Sequence, residues 1–293
     1  MRISVFTPTY NRGHLLERLY RSLQRQSYED FEWIIVDDGS TDDTEKKVSA
    51  FLSENNPFLI RYIKTENGGK HRAINRGVKE AAGELFYIVD SDDYITDHAL
   101  ESIDRIEKTI PAESKCTFAG VCGLKGFSEN ECIGKTFDGD IIDATSLQRE
   151  EKGITGDKAE VFYTDVLKRY PFPTFEGEKF ITECVVWDKI AHDGLKLRFY
   201  NEIIMICNYL PDGLTAQGEA LLLRSPMGYG LYLYQSKVFG KLVGLEQWTA
   251  YFRFIEAKRD SFSFLQISKM LHINPVLLWL RMFGMKLFYT LYD

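Results

Sequence analysis

The chain has 293 residues, of which 27% are charged and 14% aromatic, and its formal net charge is -7. This length and composition are ordinary for a globular protein with one large domain or two modest ones. The charge is uneven, because residues 216–293 carry nine Lys/Arg and five Asp/Glu, or +4, which leaves -11 for residues 1–215. An acidic N-terminal part argues against nucleic-acid binding. The basic C-terminal part is compatible with an anionic membrane surface.

The cysteine content predicts a reduced environment. There are five cysteines, an odd number, and no pair has Cys-x-x-Cys spacing. Residues 1–6 resemble a strand and lack the charged start and length of a secretory signal. We therefore expect a cytoplasmic protein.

The first hundred residues alternate short apolar runs with helical spacing. The runs predict strands over residues 2–6, 32–36, 59–64 and 85–89, and a helix follows each of them. Four strands alternating with four helices predict an α/β fold with a doubly wound, mostly parallel sheet. Residues 115–145 are Gly-rich with short β-like runs, over 116–124 and 131–137. Residues 146–160 are polar and predict a loop or lid.

The C-terminal part has a different character. Residues 218–293 are mostly helical in pattern, and 15 of the 78 residues from 216 on are Phe, Tyr or Trp. The segment 276–292 is strongly apolar, but it is short for a membrane span and contains Arg281 and Lys286. An interfacial helix, a helix packed on the body and a dimer contact all remain open. The predicted domains are a catalytic domain over 1–215 and a helical extension over 216–293.

Polar clusters follow three of the predicted strands. They are Thr7 and Thr9 after the first, Asp37 and Asp38 after the second, and Asp90, Asp92 and Asp93 after the fourth. The carboxyl ends of parallel strands meet at one edge of a sheet, which is where ligands bind. Carboxylates crowded there repel one another and attract a cation. Oxygen ligands favour Mg²⁺ or Mn²⁺ carrying a phosphate over zinc.

Two common nucleotide motifs are missing from the sequence. The first loop lacks G-x-G-x-x-G, and no G-x-x-x-x-G-K-[ST] is present. Neither a dinucleotide cofactor nor a phosphate-loop nucleotidase is therefore favoured.

The motifs at these strand ends resemble glycosyltransferase family 2. The resemblance is carried by Ser4 to Arg12 (SVFTPTYNR), Ile35 to Asp42 (IVDDGSTD) and Asp90 to Asp93 (DSDD). It covers residues 1–110 strongly and 170–215 loosely, and it is closest to the type that builds bacterial cell-surface polysaccharides. It implies a GT-A fold, a nucleotide-sugar donor and inversion at the anomeric carbon. Residues 1–110 then correspond to the nucleotide-sugar half and residues 111–215 to the acceptor half.

The resemblance also implies roles for individual residues. Thr7, Thr9 and Tyr10 correspond to the wall of the base and ribose pocket. Asp38, with its neighbour Asp37, corresponds to the residue that hydrogen-bonds the base, and a carboxylate that accepts from N3–H favours uracil over cytosine.

The acidic cluster and the helix after the third strand would handle the diphosphate. Asp90 corresponds to a ribose contact, Asp92 to the metal ligand, and Asp93 to a further ligand or its neighbour. Lys70 and Arg72 stand at the start of a predicted helix, where they would reach a diphosphate. Simple solvated charge is the alternative for both. His71 is a further candidate for that contact.

The catalytic base is the least certain assignment. Family members often carry Glu-Asp a few residues before a Trp, and keeping the step to Trp187 aligns Glu183 with that Asp. A carboxylate there would take the proton from the attacking sugar hydroxyl. Glu178 is the competing candidate, and a structural glutamate on a helix face is the third interpretation.

The sequence thus predicts an inverting, Mn²⁺- or Mg²⁺-dependent transferase of hexosyl or N-acetylhexosaminyl groups. The expected donor is a UDP-sugar and the expected acceptor is a glycan or a lipid-linked glycan. A sugar-nucleotide nucleotidyltransferase and a catalytically silent glycan-binding module are the alternatives. Further expectations are no nucleic-acid partner, peripheral contact of 216–293 with the cytoplasmic face of the inner membrane, and a homodimer.

Overall fold

The computed structural model describes residues 1–208, 210, 213 and 215–282. By their internal contacts the residues form two compact units. The N-terminal unit comprises residues 1–172 and 186–216, and the C-terminal unit comprises 173–185 and 217–293. Residues 173–185, which we expected in the acceptor half of the catalytic domain, therefore group with the C-terminal helices.

The N-terminal unit is built on one mixed sheet. Its strands are β1 Ile3–Thr9, β2 Phe31–Asp37, β3 Leu59–Lys64, β4 Leu85–Ile88, β5 Tyr94–Ile95, β6 Phe118–Ser128, β7 Glu131–Cys132, β8 Ile141–Ala144, β9 Lys158–Tyr163 and β10 Lys196–Ile206. The helices up to residue 192 are α1 Leu16–Gln24, α2 Thr44–Ser53, α3 Lys70–Glu80, α4 Ala99–Glu107, α5 Thr164–Arg169 and α6 Cys184–His192.

The sheet has the order β3-β2-β1-β4-β9-β6-β10-β5, with β7 on β6 and β8 on β10. β1 pairs in parallel with β2 and β4, and β2 pairs in parallel with β3. The predicted set of four parallel strands, each followed by a helix, is therefore confirmed. A fourth parallel pair joins β6 to β10, whereas β9 is antiparallel to both of its neighbours.

One part of the predicted loop over 146–160 is wrong. Residues 158–160 form the first half of β9, which lies between β4 and β6. Lys158 is only 1% exposed, and its Nζ donates to the carbonyl oxygens of Ile133 at 2.8 Å and Thr155 at 2.5 Å. These backbone acceptors compensate for the burial of a charged side chain, so a polar-looking segment forms an internal strand.

Both faces of β1 and β2 are buried. On one face Ile3, Val5 and Trp33 join the main core, and each fully buried side chain of this size contributes roughly 1.5–3 kcal/mol. On the other face Phe6 stacks on Phe86 with their ring centroids 5.0 Å apart. A Cβ built on Gly77 of α3 would lie 2.2 Å from the Phe6 ring, so a glycine lets the helix approach the sheet. This packing fixes the strands, and hence the edge where β1, β2 and β4 end.

The C-terminal unit is helical, as predicted. Its further helices are α7 Gly218–Leu223, α8 Pro226–Val238, α9 Gly244–Lys258 and α10 Phe264–Met270, followed by helical residues 275–282. Leu233, Tyr251 and Leu271 are at most 1% exposed and form the centre of its own core. Within the described residues, no helix has the length and apolar character that crossing a membrane requires. Residues 283–292 of the predicted interfacial helix lie outside the described part.

Candidate active site

The ends of β1, β2 and β4 bring the three polar clusters to one edge of the sheet. Phe6 is paired with Ile88 and Thr9 with Asp37, so the residues that follow leave the sheet side by side. The loops are also joined by side chains. The backbone N–H of Asn11 donates to Ser40 Oγ at 2.8 Å, and Asn11 Oδ1 accepts from the backbone N–H of Thr41 at 2.8 Å.

The three predicted residues at the end of β1 have different environments. Thr7 is fully buried, and its Oγ1 accepts a hydrogen bond from the indole N–H of Trp33 at 2.9 Å. The hydroxyl of Thr7 therefore supports the core. Thr9 is 3% exposed and its hydroxyl has no hydrogen-bond partner among the described residues, whereas Tyr10 is 47% exposed. A buried hydroxyl without a partner and an accessible ring are the two features here that suit a ligand.

The two carboxylates after β2 shape the surrounding loops. Asp37 Oδ1 accepts from the backbone N–H of Ser40 at 2.7 Å, and its other oxygen accepts from the Tyr62 hydroxyl. Asp38 Oδ1 and Oδ2 accept from the backbone N–H groups of Gly68 and Gly69, both at 2.7 Å. Asp38 therefore holds the glycine turn that leads into α3. A carboxylate has further acceptor positions, so this does not exhaust its capacity to bind a base.

The first turn of α3 presents basic side chains to the site. Lys70 Nζ lies 2.7 Å from Asp90 Oδ1 and 2.8 Å from Asp90 Oδ2, and both side chains are partly exposed. Arg72 donates to the carbonyl oxygen of Gly68 at 2.6 Å. Gly69, the N-cap residue, has φ 97°, a left-handed conformation that glycine adopts without strain.

His71, which lies between Lys70 and Arg72 in the sequence, is buried. It is 1% exposed, and neither ring nitrogen has a hydrogen-bond partner among the described residues. Burial, followed by the charge of Arg72, lowers the pKa of His71 to about 4. The imidazole is therefore neutral at physiological pH.

The acidic turn after β4 is held by groups from several elements. Arg12 Nη1 lies 2.7 Å from Asp92 Oδ2, and Arg18 donates to the main-chain oxygen of Asp92. Asp93 is 6% exposed, and its Oδ2 accepts from the Cys207 thiol at 3.2 Å. Asp92 and Asp93 thus engage different partners, although they are neighbours in sequence.

The three carboxylates of the turn repel one another, although the cations of Arg12, Lys70 and Lys125 also act on them. Burial and then the charge of Asp90 raise the pKa of Asp92, against the effect of Arg12. Burial and Asp90 also raise the pKa of Asp93, to about 6. Burial acts in the same direction on Asp90, but Lys70 and Lys125 outweigh it and its pKa is lowered. An added cation would relieve this repulsion.

The donor set fits a divalent cation that is shared with a phosphate. Among the residues that the structure describes, no three Asp, Glu, His or Cys side chains converge as a complete protein-only metal site. Mg²⁺ is usually held by one or two carboxylates together with water and phosphate oxygens, and so needs no such cluster. Asp92, at the surface of the turn, fits this description better than Asp93, which is occupied by Cys207 and the Asn208 backbone.

The two candidates for the base lie in the C-terminal unit. Glu178 is 7% exposed, and its two carboxylate oxygens accept from the backbone N–H groups of Met227 at 2.6 Å and Gly228 at 2.9 Å. Because these are N–H groups of the first turn of α8, Glu178 acts as a structural cap. Glu183 is half-buried and lies immediately before α6.

Sequence reasoning missed three residues of the site. Arg12 ends the first motif, but the resemblance gave it no role of its own. Lys125 on β6 interacts electrostatically with Asp90 and Asp93, and Cys207 follows β10. No local signal identifies the last two, because the mixed half of the sheet brings them to the acidic turn.

Comparison with known proteins finds similarity mainly in the N-terminal part of the chain. The model of the family described as glycosyl transferase family 2 matches residues 4–108. Glycosyltransferase GlyG of Streptococcus pneumoniae is 39% identical over 102 residues, which cover 34% of this chain and 33% of GlyG. The GalNAc(5)-diNAcBac-PP-undecaprenol beta-1,3-glucosyltransferase of Campylobacter jejuni is 35% identical over 104 residues, covering 35% of this chain and 33% of that protein.

A third relative is similar in both sequence and structure. Poly(ribitol-phosphate) beta-N-acetylglucosaminyltransferase TarS of Staphylococcus aureus is 37% identical over 103 residues, covering 34% of this chain and 18% of TarS. The structure of TarS 1–349 in complex with UDP-GlcNAc superimposes with a TM-score of 0.55 and 21% identity, over 88% of this chain and 81% of that one. The sequence matches thus span about a third or less of each relative. The structural match extends the common fold over most of the chain.

Proposed function

We propose that the protein is a glycosyltransferase of family 2, whose model matches residues 4–108, and that it transfers a sugar from a nucleotide-sugar donor to an acceptor hydroxyl. The observation that carries the proposal is the meeting of three strand ends. They place a buried hydroxyl without a partner, an exposed tyrosine and two ion-paired aspartates along one edge of the sheet. This is the edge at which open α/β sheets bind ligands.

The donor would lie across this edge. Thr9 and Tyr10 would contact the base and ribose, Asp38 would accept from the base while it holds the glycine turn, and Asp90 would contact the ribose. Lys70 and Arg72 at the start of α3 would bind the diphosphate, where the N-terminal N–H groups of the helix also favour an anion. We propose UDP as the nucleotide, because Asp38 is an acceptor suited to uracil N3–H, and GlcNAc is one candidate sugar.

We propose that Asp92, with Asp93 beside it, holds Mn²⁺ or Mg²⁺ together with the donor. When bound, the ion would offset charge that develops on the departing diphosphate. Lys70 and Arg72 add fixed positive charge at the same place. Because the leaving group is stabilised at this edge, the acceptor hydroxyl would attack the anomeric carbon from the opposite side, with inversion.

Glu183 is the proposed base. Its carboxylate would accept the proton of the acceptor hydroxyl as the new glycosidic bond forms, and positioned general bases of this kind contribute roughly 10²–10⁴-fold to rate. The capping of α8 by Glu178 supports this choice, since Glu178 is fixed by two backbone N–H groups.

The names of two relatives support a proposal for the acceptor class. Their names specify a poly(ribitol-phosphate) chain in one case and an undecaprenol-linked glycan in another. We propose a surface glycan or lipid-linked glycan as acceptor for this chain, with hexosyl or N-acetylhexosaminyl transfer in cell-surface polysaccharide synthesis.

A cytoplasmic location with peripheral contact at the inner membrane would suit such an acceptor. In the C-terminal unit, Val276, Trp279 and Leu280 are exposed on one short helical segment, and Arg281 lies 5.2 Å from the centre of the Trp248 ring. Exposed apolar side chains next to basic ones suit an anionic lipid surface. Sedimentation with anionic vesicles tests this, and Trp279→Ser with Leu280→Ser should reduce the bound fraction. Equal binding of the double variant would contradict the membrane contact. A homodimer through the same region stays a separate prediction, tested by light scattering.

A thermal-shift screen of nucleotide sugars tests the proposed function. The full chain is heated with UDP, GDP, CDP and their common sugars, each with Mn²⁺ or with EDTA. A ligand that binds the native state raises the midpoint by mass action. We expect UDP compounds to raise it with Mn²⁺ and to lose most of the effect in EDTA. No shift with any nucleotide would contradict the proposal.

A further inference from the structure

The side chain of Arg12 is paired with one oxygen of the Asp92 carboxylate, the group proposed to hold the metal. Its Nη1 lies 2.7 Å from Asp92 Oδ2, and the two side chains are 19% and 20% exposed. The backbone around Arg12 holds this ion pair in place. The backbone on both sides of Arg12 is fixed, because Asn11 is left-handed at φ 53° and bonded to Ser40, and the Gly13 N–H donates to Asp42 Oδ2 at 3.2 Å.

The charges around the acidic turn are balanced before any ligand binds. The carboxylates of Asp90, Asp92 and Asp93 interact with the cations of Arg12, Lys70 and Lys125, so these six groups are together formally neutral. A divalent cation that binds alone adds two positive charges beside the Arg12 guanidinium and competes with it for the Asp92 carboxylate. A divalent cation that binds with a nucleotide-sugar diphosphate adds no net charge, because that diphosphate carries two negative charges.

A diphosphate would also give Arg12 a new partner. A guanidinium binds phosphate oxygens through two parallel N–H bonds as readily as it binds a carboxylate. Displacement of Arg12 from Asp92 is therefore unfavourable for the metal alone and is compensated when a diphosphate is present.

We propose that Arg12 couples metal binding to donor binding, by holding Asp92 in the donor-free protein and moving to the diphosphate when metal and nucleotide bind together. This proposal rests on the proposed function and adds a positioning residue to it. It makes the metal bind weakly to the free protein and tightly to the nucleotide complex. By linkage, the metal must strengthen nucleotide binding by the same factor.

Arg18 does not have this role, although it also contacts Asp92. It donates to the main-chain oxygen of Asp92, and its guanidinium lies 4.6 Å from the centre of the Tyr94 ring. It therefore leaves the carboxylate available. Arg25, which pairs with Asp97 at 2.9 Å on an exposed surface, supplies a control for the loss of one positive charge.

The test measures Mn²⁺ binding directly, by the electron paramagnetic resonance signal of free Mn²⁺, with and without UDP. Wild type, Arg12→Gln, Arg12→Lys and Arg25→Gln are compared. In wild type and Arg25→Gln we expect UDP to tighten Mn²⁺ binding by roughly tenfold or more, a usual size for coupling between sites. In Arg12→Gln we expect Mn²⁺ alone to bind roughly five-fold tighter, because a partly exposed ion pair no longer opposes it. In the same variant, the factor by which UDP tightens Mn²⁺ binding should be smaller by at least a similar amount.

Arg12→Lys keeps the positive charge but lacks the planar guanidinium, so its Mn²⁺ affinity and its response to UDP should lie between those of wild type and Arg12→Gln. This variant also replaces Arg12→Gln in the test if the Gln variant does not fold. Unchanged coupling in both Arg12 variants, with UDP still bound, would overturn the role of Arg12 and leave the proposed function standing. If UDP fails to bind any of the four proteins, with or without Mn²⁺, the proposed function falls and the coupling falls with it.

Discussion

The change Asp38→Asn tests whether the Asp38 carboxylate holds the glycine turn before α3 in addition to contacting the donor. Asp38 is 5% exposed. Its two oxygens accept from the Gly68 and Gly69 N–H groups at 2.7 Å, and Asn67 Nδ2 adds a third donor to Oδ2 at 3.1 Å. Asparagine has almost the same shape, but one of its two terminal atoms is a donor. That NH₂ group must face a backbone N–H, so at least one hydrogen bond is lost and a buried donor is left unpaired.

The expected cost follows from those contacts. A hydrogen bond to a charged acceptor contributes about 1.5–3 kcal/mol, and the remaining bond loses its charge assistance as well. We therefore expect the free energy of unfolding to fall by about 3 kcal/mol. In a domain of this size that corresponds to a fall of roughly 6–12 °C in Tm. Because the glycine turn sets the start of α3, UDP affinity should fall in the same variant through the displaced Lys70 and Arg72.

Urea unfolding and UDP titration of the same protein samples measure both effects. Asp97→Asn is the matched control, since Asp97 makes an exposed ion pair and its loss should cost at most about 1 kcal/mol. If Asp38→Asn unfolds at the wild-type urea midpoint, the structural role argued for this carboxylate is refuted. Weaker UDP binding at unchanged stability would instead assign Asp38 to the ligand alone.

Three further predictions concern residues outside the acidic turn. Glu183→Gln should lower the transfer rate by roughly 10²–10⁴-fold while UDP affinity in thermal shift stays within about two-fold, because the base acts on the acceptor; near-wild-type transfer would exclude it as the base. Glu178→Gln should lower the free energy of unfolding by about 2 kcal/mol, since one of its two bonds to the α8 N-terminus is lost; urea unfolding measures this, and an unchanged midpoint would contradict the cap. The pKa of His71 is about 4 in the folded chain, below its ordinary 6.5. Protonation therefore favours the unfolded state, and stability is lost as pH falls from 6.5 towards 4, by up to about 3 kcal/mol. His71→Phe should remove most of that loss between pH 7 and pH 4.5, and parallel stability curves for variant and wild type would refute it.

The central strands β1 and β2 of the parallel half were predictable because they are mostly apolar and are buried on both faces. Runs such as Trp33 to Val36 are buried on both sides, and such runs need no partner information to be recognised. The end of β1 was less predictable, since Pro8 and Thr9 resemble a turn. They continue the strand because β4 pairs with β1 only as far as Phe6, so beyond that point β1 resembles an edge strand, where proline is tolerated.

The mixed half of the sheet was not predictable in the same way. β9 contains Lys158, whose charge suggests a surface loop, yet its ammonium donates to the carbonyl oxygen of the distant Ile133 as well as to that of the nearby Thr155. Such compensation depends on tertiary contacts that no local pattern encodes.

The residues of the candidate site were predictable where they belong to the parallel half of the sheet and not where they belong to the mixed half. The residues of the three strand ends were identified from their motifs, and the structure brings them to one edge. Lys125 and Cys207 reach the acidic turn only through β6 and β10, and therefore had no signal in the sequence.

The most direct test of the central claim is the metal dependence of transfer in Asp92→Asn. UDP release from the donor identified by the thermal-shift screen is followed over a range of Mn²⁺ concentrations, in wild type and variant. The account predicts that wild type is activated by Mn²⁺ and inhibited by EDTA. It also predicts that Asp92→Asn loses most of its activity and needs far more Mn²⁺. Wild-type rates in the variant, with the same Mn²⁺ dependence, would contradict the account.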